Sequence, residues 1–493
     1  MLRPGARVEA TRGSTTERRK VSFGIRARRA HSPFRRRTLT QMEAATESLT
    51  DAPGDAGAAT GLPPRPDLSR WMMSVGFMLT PTRFLDACQE RCGDYFTLLP
   101  APDRVLVVTA DPAAVKQVFT GDPNHLLAGE GNVVLAPILG SASVLLLDGP
   151  EHLRQRRLLL PPFHGERMRG YEATMAEVAE RHVGAWPRHR RFAALPSMQA
   201  ITLEVIMRAV FGVDDRDRRE QIGAPLRRLL DMVGNRRRVL ALALTARRTG
   251  PRSPWAKFAA ARREADVLLY EEIRVRRAAG PGAEGDDVLS LLLAARDEDG
   301  RQLSDSELRD ELMTLLVAGH ETTATALAWA LERLVRTPDV LARLVEEQRA
   351  GGEEYLDAVV KETLRLRPVV PAVARRLKEP MEFGGWHLPA GVHIAPSIYL
   401  LHRRPDLYPD PLAFRPERFL SDPPSTYEWI PFGGGIRRCL GASFAMLEMK
   451  VVLQTVLRQV RLQPAARRRP EAVTRRAITF APARGARISV DPA

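Results

Sequence analysis

Cysteine is nearly absent: 3 of the 493 residues, at positions 88, 92 and 439. So sparse a set makes no disulfide framework and fits a reducing compartment, which points to the cytoplasm. Cys88 and Cys92 stand four apart on one helical face, yet no other Cys or His lies nearby to complete a metal site, so they read as packing residues. Long apolar runs are missing too. The nearest, Trp71 to Leu79, falls well short of the roughly 20 residues a membrane span needs. Lysine is scarce, since 68 of the 74 basic residues are arginine. That bias is explained more simply by GC-rich coding than by the nucleic-acid or acidic-membrane partner that a formal charge of +15 and a pI near 10.4 would otherwise suggest. The charge is also unevenly placed. Most of it sits between Met1 and Arg37, and the chain beyond is only mildly basic.

That first stretch is rich in Arg and Ser and poor in acids, a transit-peptide composition. A disordered basic arm, or a start placed upstream of a true beginning at Met42, accounts for it better, because Glu47 to Pro64 is also low in bulky apolar residues. Beyond it, helical and strand patterns alternate. A helix is expected over Thr82 to Arg91, then strands over Tyr95 to Leu99 and Arg104 to Thr109, and a helix opened by Asp111-Pro112. Gly129 to Val144 is Gly-rich and mixed in pattern, hence loop. Gly149-Pro150-Glu151 starts a helix carrying His152 and Arg156 on one face. Helical patterns then fill Met168 to Ala185, Thr202 to Phe211, Arg219 to Met232 and Trp255 to Arg277, with Gly280 to Asp286 a loop. Ser304-Asp305-Ser306-Glu307 reads as a capping box opening a long helix to about Arg336. Gly319 inside it costs about 1 kcal/mol relative to Ala, so something is gained there. A zinc-protease helix at His320-Glu321 is excluded, because Ala324 stands where the second His is required. Glu354 to Leu366 is helical, with Glu362 and Arg365 three apart on one face.

Near the C-terminus comes Phe432-Gly433-Gly434-Gly435-Ile436-Arg437-Arg438-Cys439-Leu440-Gly441, a glycine-rich loop ending in a thiol at the start of a helix that runs to about Arg458. The helix N-terminus, Arg437 and Arg438 are expected to favour the thiolate, which a soft metal centre wants. The glycines would let the backbone approach something flat and bulky.

The order of Phe432, Gly435, Arg437, Cys439 and Gly441 resembles the haem-thiolate signature of the cytochrome P-450 family, and four further motifs stand in the family's order between Pro64 and the C-terminus. The resemblance implies one mainly α fold with small β-sheets (α+β), built as a single haem domain over residues 64–493 around a long central helix, with residues 1–63 as the arm. That overrides a count of about three domains from length alone. It further implies haem b as cofactor, Cys439 as the axial ligand of its iron, Phe432 packed near the sulfur, and His152, Arg156, Arg375 and Arg437 meeting the propionates. Arg154 and Arg157 are expected to be solvated. Ala318-Gly319 would mark a widened stretch of the long helix beside the haem. Glu321 and Thr322 match the acid and alcohol pair that delivers the two protons O–O cleavage requires; Thr322 could otherwise merely bond back to a helix carbonyl. Glu362, Arg365 and Arg418 match the buried triad that scaffolds the haem loop, and Val369, Val370 and Val373 are candidate substrate contacts.

The implied activity is insertion of one oxygen atom from O2 into an apolar fatty acid, terpenoid, steroid or polyketide. All the chain is taken up by the haem domain and its arm, so electrons are expected from a separate ferredoxin and ferredoxin reductase, with the protein itself a monomer. The alternatives are a peroxide-driven or isomerase-type member, and a non-catalytic haem carrier or gas sensor.

Overall fold

The computed structural model describes residues 61–492, apart from 102–103, 166, 213–215, 235–249, 251–252, 281–286 and 465–469. Almost all of the basic arm, Met42 included, and nearly all of the loop expected over Gly280 to Asp286 lie outside the described residues.

Alternating β-branched and leucine residues build a five-stranded sheet from strands far apart in the chain: β1 (Tyr95–Ala101), β2 (Arg104–Thr109), β3 (Leu126–Leu127), β4 (Arg375–Leu377) and β5 (His393–Pro396). The spatial order is β1-β2-β5-β4-β3. β2 and β5 run parallel with Val107 opposite Ile394, and the other neighbours are antiparallel, which sets Arg375 opposite Ile394. The register of β4 thus fixes where Arg375 emerges.

Six helices matter for the site: α1 (Pro112–Thr120), α2 (Gly149–Leu159), α3 (Leu195–Phe211), α4 (Asp305–Leu334), α5 (Glu354–Leu366) and α6 (Ala442–Gln459). Asp111 caps α1 by accepting the Ala113 N–H at 3.0 Å, and Pro112 fills the first helical position. On α4 the capping box forms as expected, with the Ser304 hydroxyl accepting the Glu307 N–H and the Glu307 carboxylate accepting the Ser304 N–H. α4 runs through the largest apolar cluster, where Leu312, Leu316, Leu327 and Leu331 are fully buried. It continues as α-helix without interruption past Gly319. A Cβ on Gly319 would lie 3.1 Å from Ile206 Cδ1, so what the glycine provides is close approach of α3. Cys88 is buried and Cys92 half-buried, and both pack in the cluster with Leu85 and Phe96.

Two expectations change. α3 begins at Leu195 rather than Thr202, with Pro196 in its first turn. Gly129 to Val144 is not a plain loop but folds into short helical turns, Ala128–Gly131, Val133–Leu135 and Ala136–Leu139. Their organiser is remote: Asp148 accepts the N–H groups of Ala128 and Gly129 at 2.9 Å and of Glu130 at 3.1 Å, a cap supplied from 18 to 20 residues downstream. No helix among the described residues is long and apolar enough to cross a membrane.

Candidate haem-thiolate site

The loop before α6 doubles back on itself. Gly433 and Gly435 take φ of +66° and +62°, values that strain any residue with a side chain. Cβ atoms on Gly434 and Gly435 would both collide with Phe119 of α1 at 2.1 Å. The glycines therefore admit close contact with α1, rather than serving only the flat partner expected from the sequence. Phe432 O accepts the Cys439 N–H at 3.0 Å, which closes the loop, and the Phe432 ring stands edge-on to Trp429 at 6.2 Å.

Cys439 is exposed to water-sized contact, yet the protein packed around it pushes the thiol's pKa up. Both hold only if the sulfur faces a hollow enclosed by the fold. The Gly441 N–H, Arg156 and Arg438 pull the pKa down but lose to burial. The protein alone thus does not favour the thiolate, contrary to the sequence expectation; a metal ion bound there would remove the proton. On α4, too, exposure stands beside burial. Ala318 is exposed and Thr322 half-exposed, four apart on one face, whereas Leu316, Thr323 and Ala324 beside them are buried.

Around this hollow the charges do not balance. His152 is buried, and desolvation followed by Arg437, Arg156 and Arg375 lowers its pKa to about 3, so it is neutral. The Arg375 side chain is buried, donates among the described residues only to the adjacent Ala374 O at 2.9 Å, and has its pKa lowered to about 10 by desolvation and then Arg437. The Arg156 side chain makes no hydrogen bond or ion pair among the described residues, and burial lowers its pKa too. Against three arginines stands one carboxylate, Asp148, which accepts from Arg437 at 2.6 Å. Arg437 also donates to Val144 O at 3.1 Å and to Leu147 O, so its donors are turned to that loop. Buried Arg375 and half-buried Arg156, both with spare donors, fit a ligand carrying two carboxylates, and the exposed cysteine fits its metal; the residues present suit haem.

Glu321 and Thr322, neighbours in sequence, point apart. Thr322 Oγ1 donates to Ala318 O at 2.6 Å, the helix back-bond. Glu321 accepts from Gln199 Nε2 at 2.7 Å and faces Arg476 Nε at 3.2 Å. His320 is held by Thr202, whose hydroxyl donates to His320 O at 3.0 Å and lies 3.0 Å from its Nδ1; burial, then Arg476 and Arg227, lowers its pKa to about 4.

The triad does come together. Glu362 and Arg365 are fully buried and share bonds of 2.6 and 2.8 Å, while Arg418 Nε stands 3.5 Å from Glu362. Val369 is buried in the main cluster and Val373 packs near Phe119 and Ile430. Arg154 is not solvated as expected: it pairs with Asp297 at 2.5 Å and Glu307 at 2.8 Å. Arg157 is exposed and meets only exposed Glu298. Sequence reasoning passed over Asp148, Gln199 and Arg476. Asp148 precedes Gly149-Pro150 and so looks like the cap of α2, but its side chain makes no cap bond there.

A family model described as cytochrome P-450 matches residues 63–486. The chain belongs to the cytochrome P-450 family. It is a haem-dependent monooxygenase, an oxidoreductase. Among curated cytochromes P-450, it is 46% identical over 441 residues to cytochrome P-450 135B1 of Mycobacterium tuberculosis, covering 88% of this chain and 92% of that one. To cytochrome P-450 138 of Mycobacterium bovis it is 42% identical, covering 90% of this chain and 99% of that one. Among solved cytochrome P-450 structures, a retinoic acid bound cyanobacterial member superposes with a TM-score of 0.75 at 26% identity, over 88% of this chain and 99% of that one. Cytochromes P-450 in general need a redox partner.

Proposed function

We propose that this cytochrome P-450 uses b-type haem held by Cys439 to insert one atom of O2 into a C–H bond or double bond of an apolar substrate. The observation that carries the reading is exposed Cys439 close to half-buried Arg156, itself beside buried His152 and Arg375, with few partners for these side chains among the described residues. Haem, when bound, supplies the oxygen activation; this chain holds it and manages protons and water. Cys439 would hold the haem iron through its sulfur. Arg156 and Arg375 bring positive charge and His152, neutral, an N–H donor to the propionates; Arg437 acts through the loop it pins, beside Asp148.

For proton delivery, the Thr322 hydroxyl faces the hollow and has one proton, now committed to Ala318 O. Glu321 sits one residue earlier, tethered between Gln199 and Arg476. A proton reaches the hollow when Glu321 swings from these tethers and Thr322 rotates off Ala318, each motion breaking about 1 kcal/mol of net hydrogen bonding. The buried flank of α4 keeps bulk water out meanwhile.

The substrate belongs to the fatty acid, terpenoid, steroid or polyketide class. Retinoic acid, an apolar isoprenoid acid held by the cyanobacterial neighbour, supports the terpenoid end of that range. Electrons come from a ferredoxin and its reductase in the cytoplasm, where the three free cysteines stay reduced. The protein is taken as a monomer and residues 64–493 as its haem domain.

The test is to express the chain with ample haem and record the carbon monoxide difference spectrum of the reduced protein. A thiolate-type band is expected, and a folded but colourless protein, or a histidine-type band, ends the reading. Screening lipid and terpenoid libraries for spectral shifts then names the substrate. The committed Thr322 hydroxyl and tethered Glu321 also favour a second reading, peroxide-driven turnover. Comparing product formed with peroxide against that formed with a ferredoxin system separates the two.

A further inference from the structure

His402 is fully buried, and its role is not read from any of the motifs above. It follows the short helix Ile398–Leu401. Its Nε2 accepts the Ile430 backbone N–H at 2.9 Å, so Nδ1 carries the ring proton. The backbone of Arg365 and Leu364, at the end of α5, favours a proton on that ring, while burial and the Arg365 charge keep it from taking a second one, with its pKa lowered to about 3. Three further contacts frame the residue, one of them on the imidazole itself. The His402 carbonyl accepts from Arg365 Nη1 at 2.7 Å; the Tyr408 ring stands edge-on to the imidazole at 6.3 Å; and the Arg365 guanidinium covers Tyr408 at 4.9 Å.

What Ile430 leads to makes this contact matter. Its own carbonyl accepts the Gly433 N–H at 3.0 Å, and two residues on Phe432 O accepts the Cys439 N–H at 3.0 Å. From Asp422 to Gly441 the chain has no regular structure beyond one 3-10 turn at Gly435–Arg437, and three of its glycines are consecutive, so the placement of the sulfur depends on a few anchors. Tyr408 Oη holds Glu428 O at 3.0 Å and Trp429 Nε1 reaches Lys361 O at 3.3 Å. Of these three neighbours, only His402 both holds the loop backbone by its ring and takes Arg365 on its own carbonyl. It joins the Glu362–Arg365 pair to the cysteine loop.

We propose that His402 is a positioning residue: by holding the Ile430 N–H it sets the register of the loop that presents Cys439, and so the fraction of protein able to ligate haem iron through sulfur. The proposal rests on Cys439 being the iron ligand. A merely structural histidine would lower stability when replaced. A positioning histidine also demands an acceptor at the place of Nε2. Glutamine can put a carbonyl oxygen there; asparagine, shorter by one methylene, puts its oxygen nearer the place of Nδ1; leucine offers none.

The test uses the full chain, expressed with haem, as parent and as His402→Gln, His402→Asn and His402→Leu. Two readouts are taken: hydrogen exchange at the Ile430 amide, and the share of the reduced carbon monoxide complex with a thiolate-type band. His402→Leu and His402→Asn are expected to speed exchange at Ile430 by about tenfold or more, as loss of a buried hydrogen bond does, and to lower the thiolate-type share. His402→Gln is expected to stay within about threefold of the parent in exchange and to keep the band. The proposal is overturned if His402→Gln matches His402→Asn in both readouts, or if His402→Leu changes neither. Should His402→Leu fail to fold, the Gln and Asn pair decides. Should even the parent lack a thiolate-type band while Ile430 exchange responds as described, the iron assignment of Cys439 falls and the anchoring of the loop by His402 stands.

Discussion

Replacing Arg365 by methionine tests how far the cysteine loop depends on the buried frame beneath it. Every N–H of the Arg365 guanidinium is used: Glu362 accepts at 2.6 and 2.8 Å, His402 O at 2.7 Å, Pro411 O at 2.9 Å and Ala413 O at 3.2 Å. Arg365→Met strands the fully buried Glu362 carboxylate with only the Arg415 N–H at 2.9 Å and Arg418 at 3.5 Å, and it orphans three carbonyls. Breaking a buried pair costs about 3–5 kcal/mol. Each carbonyl left dry adds about 1 kcal/mol or more. Set against a domain stability of about 5–15 kcal/mol, that is most of what holds the fold. Lysine has three donors and can replace at most three of the five bonds, so Arg365→Lys still loses about 2 kcal/mol. Removing both charges, Glu362→Leu with Arg365→Met, strands no ion and is expected to recover about 1–3 kcal/mol relative to Arg365→Met alone. Urea unfolding followed by far-ultraviolet circular dichroism measures all four proteins. An Arg365→Met protein within about 1 kcal/mol of the parent, or a double variant weaker than that single one, would refute the reasoning.

Thr322→Ala is expected to cut product formed per electron consumed by about tenfold or more while leaving the carbon monoxide spectrum unchanged; unaltered coupling removes Thr322 from proton delivery. Arg476→Met frees Glu321 from one tether, so it is expected to shift the pH profile of turnover upward without changing the haem spectrum, and a flat comparison counts against the swinging of Glu321. Asp148→Asn leaves the Ala128, Gly129 and Glu130 cap with one acceptor oxygen and removes the charge facing Arg437. It is expected to weaken haem retention, read by transfer to apomyoglobin, and to cost about 1–2 kcal/mol of stability. His320 has a folded pKa of about 4, below its ordinary 6.5, so the unfolded chain takes up the proton first. Its contribution is complete above about pH 6.5 and is lost as pH falls toward 4, by at most about 3 kcal/mol. In His320→Asn the slope of unfolding free energy across that window should flatten, and an unchanged slope would show that His320 is not the group responsible.

What could be read in the sequence was what is written locally or carried by an ordered signature. The Ser304 capping box, the Asp111-Pro112 start and the Glu362 to Arg365 spacing each concern neighbours within a turn or so of helix, and each appears in the fold. The class of fold followed from the order of Phe432, Gly435, Arg437 and Cys439, and membership of the family bears it out. What stayed hidden depends on contacts across long sequence gaps. Asp148 capping residues 128–130, Gln199 and Arg476 holding Glu321, and His402 holding Ile430 leave no periodicity to detect. Arg154 misled because a run of basic residues looks solvated until the fold brings Asp297 and Glu307 to it. The thiolate expectation failed for a further reason: a helix N-terminus and two arginines are visible in sequence, but desolvation is not, and here desolvation is larger.

The segment from Ala128 to Asp148 is riveted at its two ends and at Leu139, whose carbonyl accepts from Arg309 at 2.8 Å, and is open only at one turn between them. Asp148 grips its beginning, and its far end is fastened by Asp310 to the Ala142 N–H at 2.8 Å, by Glu311 to the Val144 N–H at 2.6 Å, and by Arg437. In the middle, Val133 and Val134 lie open to solvent. A protein built this way can change Val133 and Val134 without disturbing the rivets, whereas Leu139 is core and Gly140, at φ +96°, has no room for a side chain beside Asp310. Substitutions in this segment are therefore expected to be tolerated at Val133 and Val134 and to cost stability at Leu139, Gly140, Asp148, Asp310 and Glu311.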